Sequence, residues 1–426
     1  MKESMPGIIE IPTIVERAVK EFGDLFLNEP ERRHFAEYLT GLLIAERKSV
    51  SGINSEFAQT TDQSCLNRFL TDAKWSERKL NERRLQWLQE DQSTRYAESG
   101  VIAVDNTLID HSGKFIEDVG YYWDHAEGRH KIAHDYLIAN YVCPSGKHYP
   151  LDFRLFRKRQ SCEETLIQLL AAGFKEEDAN RLTEFRDHTE LFKELVDWVV
   201  EQKIPGDFTF DSYFTSVPIL NHINKYERGY VGDLKFNRNV MFMGRKLKVS
   251  DVAQQIPSES RKEVLIGEKK QWYFTKTVQI PGVDHKVRIV ILWQHQGDKE
   301  AKKILVTNKV QWEVSRILRV YRRRWTGTET FHRDGKQQLG MGDCQLRIAE
   351  GQTRHMYLVF LTYSLLMREL RQGRVNEWAH SLLTTIGEGC RAVMRETLGK
   401  TISWAIQKAT VEGWTHERIR THLALA

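Results

Sequence analysis

Apolar residues recur at three- and four-residue intervals through "RRHFAEYLTGLLIAERKSVSGINSEF" and "QSCLNRFLTDAKWSERKLNERRLQWLQED", so residues 1 to about 98 predict short amphipathic helices. Their Ser, Gly and Asn breaks suit a helix-turn-helix-like DNA module, and a generic helical bundle equally well. At residue 101 the period changes. "VIAVD" predicts a buried strand ending on Asp105. "FIEDVGYYWD", "DYLIANYVC" and "YPLDFRLF" follow as strands, then helices over about 163–174 and 176–203. "DFTFD" (207–211) is a further strand ending on an acid, Asp211, and "RGYVGDLKFN" (228–237) the next. Strands, helices and strands again predict a mixed α/β core.

From about 239 to 303 apolar and basic residues alternate, with a turn at Pro281-Gly282, which predicts an antiparallel β module inserted into that core. "KKILVTN" (302–308) resumes the core, a long helix follows, and 354–426 read as helical. The run "MYLVFLTYSLLM" (356–367) predicts a buried helix, well short of the roughly 20 residues that span a bilayer.

Composition changes this picture little. A hydrophobic content of 41% in 426 residues describes a globular chain. The five cysteines form no CxxC pair, which argues for reduced thiols and against a four-cysteine zinc site. The first residues lack the apolar stretch of a secretory signal, so a soluble cytoplasmic protein is expected.

Charge changes it more. From Lys235 to Lys336 there are 23 Lys and Arg against 10 Asp and Glu, a balance of +13; the chain totals +5, so the remainder carries −8. A basic block in a chain of moderate charge suits a nucleic-acid surface, and a solvated basic face with no partner is the alternative. Its densest part, "YRRRWTGTETFHRDGKQQLG" (321–340), surrounds one acid, Glu329, with cations.

Each acid singled out here has a structural alternative. Asp105 suits an Asx turn after its strand, Asp211 a helix N-cap, and Thr326-Gly-Thr-Glu329 is a capping-box pattern. Taken together, two strand-end carboxylates and one helical carboxylate supply the hard oxygen donors that Mg²⁺ prefers, in the crevice where α/β sheets bind ligands. Such a site suits phosphodiester chemistry, which rests on positioning and charge neutralisation.

Three blocks resemble the DDE transposases of bacterial insertion sequences, in the branch with a Tyr-Arg-Glu-Lys motif. They are "VIAVDNTLIDHSGK", "FTFDSYF", and the stretch with Tyr321, Arg324, Glu329 and Lys336 that continues into "LGMGDCQLR". The N-terminal "TGLLIAERKSVSGI" is similar too. The resemblance implies an α/β fold: an RNase H-like mixed-sheet catalytic core (99–238 and 304–372) interrupted by a β-strand insertion (239–303). A helical DNA-binding domain (1–98) would precede it and a helical region (373–426) follow.

The implied activity is Mg²⁺-dependent cleavage at transposon ends, with Mn²⁺ a substitute, followed by attack of the freed 3′-OH on target DNA. Asp105, Asp211 and Glu329 would be catalytic and hold the metal. Tyr321, Arg322, Arg323, Arg324, Trp325, Arg333 and Lys336 would contact DNA. The partners implied are terminal inverted repeats and target DNA, bound by a homodimer at the nucleoid, with no membrane. A nuclease without strand transfer, and a domesticated DNA-binding protein, are the alternatives.

One feature departs from that motif: four residues, Trp325 to Thr328, separate Arg324 from Glu329 where three are usual. In an unbroken helix the extra residue turns Glu329 roughly 140° from Arg324 instead of roughly 40°. A π-bulge or helix restart at Gly327 is therefore expected.

Two weaker patterns remain. His125, His130 and His134 beside Asp124 and Asp135 admit a transition-metal cluster, solvated histidines or DNA contacts. Trp272 and Trp293 admit base stacking or core packing.

Overall fold

A computed structural model describes residues 7–124 and 127–424. The chain divides into two compact units. One comprises Met1–Thr94, Leu108–His134 and His332–Ala426, the other Arg95–Thr107 and Asp135–Phe331.

The first unit is mainly helical. The apolar run at 356–367 belongs to the helix Ala349–Glu369, which packs against Glu29–Ile44, Gln63–Thr71 and Glu77–Glu90. Burying its whole circumference buries cations as well, and each finds partners, as a dry interior demands. Arg84 donates to Ser364 Oγ (2.8 Å) and Asn81 Oδ1 (2.6 Å). Arg354 donates to the carbonyls of Leu70 (3.1 Å) and Trp75 (3.0 Å). Capping fixes where helices begin: Asn28 accepts from Glu31 N–H, and Thr385 with Glu388 forms a capping box. Among the described residues no helix is long and apolar enough to cross a membrane.

The strands are β1 (Val101–Asp110), β2 (Gly120–Asp124), β3 (Arg129–Val142), β4 (His148–Phe156), β5 (Asp207–Phe210), β6 (Tyr230–Asp233), β7 (Asn239–Phe242), β8 (Arg245–Lys248), β9 (Lys262–Ile266), β10 (Lys269–Val278), β11 (Val287–Trp293) and β12 (Lys303–Thr307). The main sheet runs β2-β3-β1-β5-β6-β12-β11-β10-β9, with β4 also on β3. β5 lies parallel to β1 and to β6, and from β12 to β9 the pairing is antiparallel. Val101 to Val104 are fully buried on a central strand, as side chains are where both faces of a sheet are covered.

Several boundaries differ from the sequence reading. β1 does not stop at Asp105 but runs on to Asp110, and the strand expected over 115–124 is confined to β2. The basic segment is antiparallel as expected: β9, β10 and β11 join the main sheet, where β11 pairs with β12 from Arg288↔Thr307 to Leu292↔Lys303, and β7 and β8 pair in a separate two-stranded sheet. Its Pro281-Gly282 turn lies between β10 and β11, with Gly282 at φ +87.

One helix, Val314–Gly327, packs Val314, Ile317, Leu318 and Val320 onto Val101, Val231, Val290, Leu292 and Leu305 of the sheet. Each such aliphatic side chain contributes about 1.5–3 kcal/mol on burial. The mixed sheet with its flanking helices is an RNase H-like architecture.

Candidate active site

The helical period of Val314–Gly327, hereafter the arginine helix, decides where each arginine points. Positions 317, 321, 324 and 328 follow the buried stripe at three- and four-residue steps, so Arg324 faces the sheet while Arg322 and Trp325 are exposed. Arg324 Nη1 lies 2.8 Å from Asp105 Oδ2 and 3.8 Å from Glu329 Oε1. Burial raises the proton affinity of Asp105, the charge of Asp211 adds to it, Arg324 opposes and Glu329 adds again; the carboxyl is pushed up to about 7.

Asp211 follows β5 directly. Its Oδ1 accepts the N–H of Tyr213 (2.9 Å) and of Phe214 (3.4 Å), an Asx turn rather than the N-cap anticipated. The β1–β5 register pairs Ala103 with Thr209 and stops there, and Asp211 lies close enough to Asp105 for its charge to act on that carboxyl.

Glu329 opens a second helix, Glu329–Gln338 (the glutamate helix), after a break at Thr328. Thr328 sends both its N–H (2.9 Å) and its hydroxyl (3.0 Å) back to Arg324 O, closing the arginine helix. Thr326 lies inside that helix, so the capping-box reading does not hold. The break absorbs the extra residue and leaves Glu329 beside Arg324. Gly327 has its own reason: an added β-carbon would stand 2.7 Å from Ala103 Cβ and 2.9 Å from Val142 Cγ2. Only glycine lets the helix approach β1 and β3 so closely.

The remaining cations are distributed unevenly. Tyr321 donates to Asp233 Oδ2 (3.2 Å) and accepts from Lys303 Nζ (3.0 Å), and Arg323 donates to Ser99 O (2.7 Å). A groove of about 780 Å³ is lined by Lys303, Arg319, Arg322, Arg323, Arg324 and Trp325, whose indole is 63% exposed. Further along the glutamate helix, Arg333 pairs with Asp334 (2.9 Å) and Lys336 is exposed.

Among the described residues the histidines do not form a metal cluster. His125 lies outside the described residues. His130 stacks on Tyr121 at 5.0 Å between ring centres. His134 instead bonds to His111 (2.9 Å) and to Glu117 O (2.8 Å). Lys131 occupies Asp110 (2.7 Å) and Asp124 (2.9 Å). Trp293 is fully buried with Arg261 over its ring at 4.0 Å, so it packs rather than stacks on bases; Trp272 pairs opposite it in the sheet. Missed entirely was a hydrogen-bonded chain, Asn106–Asp135–His188–Tyr213, whose members have no common local pattern.

As they stand, no three His, Cys, Asp or Glu side chains among the described residues form a metal cage. Arg324 bridges two of the three carboxylates instead. The donor set nonetheless fits a hard divalent cation: three carboxylates, one with its proton affinity raised by burial and by the charges of the others, carry more negative charge than one guanidinium offsets.

No match appears among curated proteins. A family model described as DDE superfamily endonuclease matches residues 21–261, more than half of the chain, taking in Asp105 and Asp211 and ending before Glu329. With that match and this carboxylate site on an RNase H-like sheet, the chain belongs to the DDE superfamily endonucleases, nuclease-type enzymes that use divalent metal ions on DNA.

Proposed function

We propose that the chain is a cut-and-paste DNA transposase of the branch marked by the Tyr-Arg-Glu-Lys motif. The observation that carries this reading is the gathering of Asp105, Asp211 and Glu329 near one guanidinium, beside a groove rich in arginine. Asp105, Asp211 and Glu329 would hold Mg²⁺, or Mn²⁺ in its place. An ion held there would supply activation of the attacking oxygen and neutralisation of the leaving one.

The chain's own residues do the rest. Tyr321, Arg322, Arg323, Arg324 and Trp325 hold the DNA backbone, and Arg333 and Lys336 contact DNA as well. A phosphate in the groove competes with Asp105 for Arg324, so DNA entry frees the carboxylate. Cleavage at a terminal inverted repeat leaves a 3′-OH, which attacks a target phosphodiester. One P–O bond forms as another breaks, and no energy source is needed. Residues 1–98 recognise the ends, and a homodimer pairs them at the nucleoid.

The test is a DNA duplex carrying the element's own ends, incubated with Mg²⁺ and either wild type or Asp211→Asn. Wild type should nick at the boundary and join ends to target, while the variant binds without cutting. Hydrolysed ends without joined products would replace the reading by a nuclease. Binding without cutting by both proteins would replace it by a DNA-binding protein.

A further inference from the structure

Backbone pairing between β1 and β5 ends at Ala103 and Thr209, two residues short of both aspartates. The ladder therefore does not set the distance between Asp105 and Asp211. A side-chain chain within the same unit takes over where it stops. Asn106, next to Asp105, donates its amide to Asp135 Oδ1 (2.9 Å). Asp135 Oδ2 accepts from His188 Nε2–H (2.8 Å). That bond fixes the imidazole tautomer and leaves Nδ1 facing the Tyr213 hydroxyl at a long 3.4 Å. Tyr213 in turn gives its backbone N–H to Asp211 Oδ1 (2.9 Å).

The imidazole is held on both sides. It stacks on Phe156 with ring centres 4.0 Å apart and meets Tyr213 edge-on at 5.6 Å. Asp135 is only 4% exposed, and a carboxylate buried that far costs stability unless its oxygens are occupied. Here one oxygen anchors β1 at Asn106 and the other reaches, through His188, the turn after β5. Side chains alternate along a strand, so Asn106 fixes β1 from the face opposite Asp105 and leaves the metal face open.

We propose that Asp135 and His188 form a positioning dyad that holds Asp105 and Asp211 at metal-binding separation. Neither residue need touch metal or DNA, and the inference rests on the carboxylate site proposed above.

The test measures Mn²⁺ binding to the full chain without DNA, by calorimetry or by the spin resonance of free Mn²⁺. The proteins are wild type, His188→Ala, His188→Gln, Asp135→Asn and Asp211→Asn. Loss of an outer partner of this kind should weaken Mn²⁺ about tenfold to a hundredfold in His188→Ala and Asp135→Asn. His188→Gln, whose amide can still donate to Asp135, should recover most of it. The metal concentration for half-maximal cleavage should rise in step, with the rate at saturating metal within about twofold of wild type.

A general packing defect would lower the unfolding temperature in His188→Ala, His188→Gln and Asp135→Asn alike, without the glutamine rescue, and that outcome overturns the proposal. So does Mn²⁺ affinity unchanged in His188→Ala and Asp135→Asn while Asp211→Asn has lost it; the site then stands without the dyad. If wild type binds Mn²⁺ no better than Asp211→Asn, the site reading itself has failed.

Discussion

The two units each bring titratable side chains together and treat them in opposite ways. In the helical unit, His134 accepts from His111 and donates to Glu117 O, while His355 accepts from the Tyr38 hydroxyl (2.9 Å) and donates to Gly340 O (3.0 Å). Burial pushes His111 down to about 3 and His355 to about 4, and the rings stay neutral. In the sheet unit three carboxylates share one guanidinium, and Asp105 is pushed up to about 7. The first group has settled its charges inside the protein. The second has more negative charge than the protein balances, which marks a place kept for something from outside.

Exchanging the roles of the two groups gives the largest effect. Asp105→Asn or Asp211→Asn should lower cleavage by more than about a thousandfold, since charge neutralisation is most of the catalysis. Thermal unfolding of the metal-free variants should be unchanged or raised, because repulsion is relieved. His355→Ala should do the reverse. It leaves the Tyr38 hydroxyl and Gly340 O unpaired, costing about 3 kcal/mol in urea unfolding, with normal turnover per folded molecule.

The packing beneath the carboxylates can be tested separately. Gly327→Ala forces a methyl against Ala103 and Val142 and should cost about 1–3 kcal/mol, with cleavage reduced as well because Glu329 moves.

Acid should separate the two groups by sign. The folded-state values of His111 and His355 lie below the ordinary 6.5, so the unfolded chain binds more protons and stability falls as pH falls from about 6.5 towards 4. The folded-state value of Asp105, about 7, lies above its ordinary 3.8, so its contribution runs the other way and stability falls as pH rises through that window. Each group is worth at most roughly 1.4 kcal/mol per pH unit. Urea unfolding of metal-free Asp105→Asn at pH 5, 6 and 7 should therefore show a steeper acid loss than wild type.

The smallest effect is expected from Lys336→Ala. One lost phosphate contact should weaken DNA binding by less than about tenfold and reduce the salt slope by about one.

What could be read in the sequence was local. Strands β4, β5 and β12, the buried helix around 356–367 and the acids after "VIAV" and "TF" all announce themselves through period and neighbours. What was misread depends on residues far apart in the chain. Gly327 looked like a device for turning Glu329, and its tight fit against Ala103 and Val142 cannot be seen from the helix alone. The pairing of His134 with His111, 23 residues away, has no local signal. His188 and Asp135 are 53 residues apart. That β9 to β11 join the main sheet while β7 and β8 pair apart from it is likewise beyond what alternation can tell, because no such pattern says which neighbour a strand will pair with.

The close approach at Gly327 has a mechanical consequence. Where helix and sheet meet through long side chains, rotamer changes take up small displacements. At Gly327 the arginine helix meets β1 and β3 with its backbone, and no side chain of its own lies between to yield. A load on the groove lined by Arg322, Arg323 and Trp325 therefore passes into β1 two residues from Asp105 with little slack.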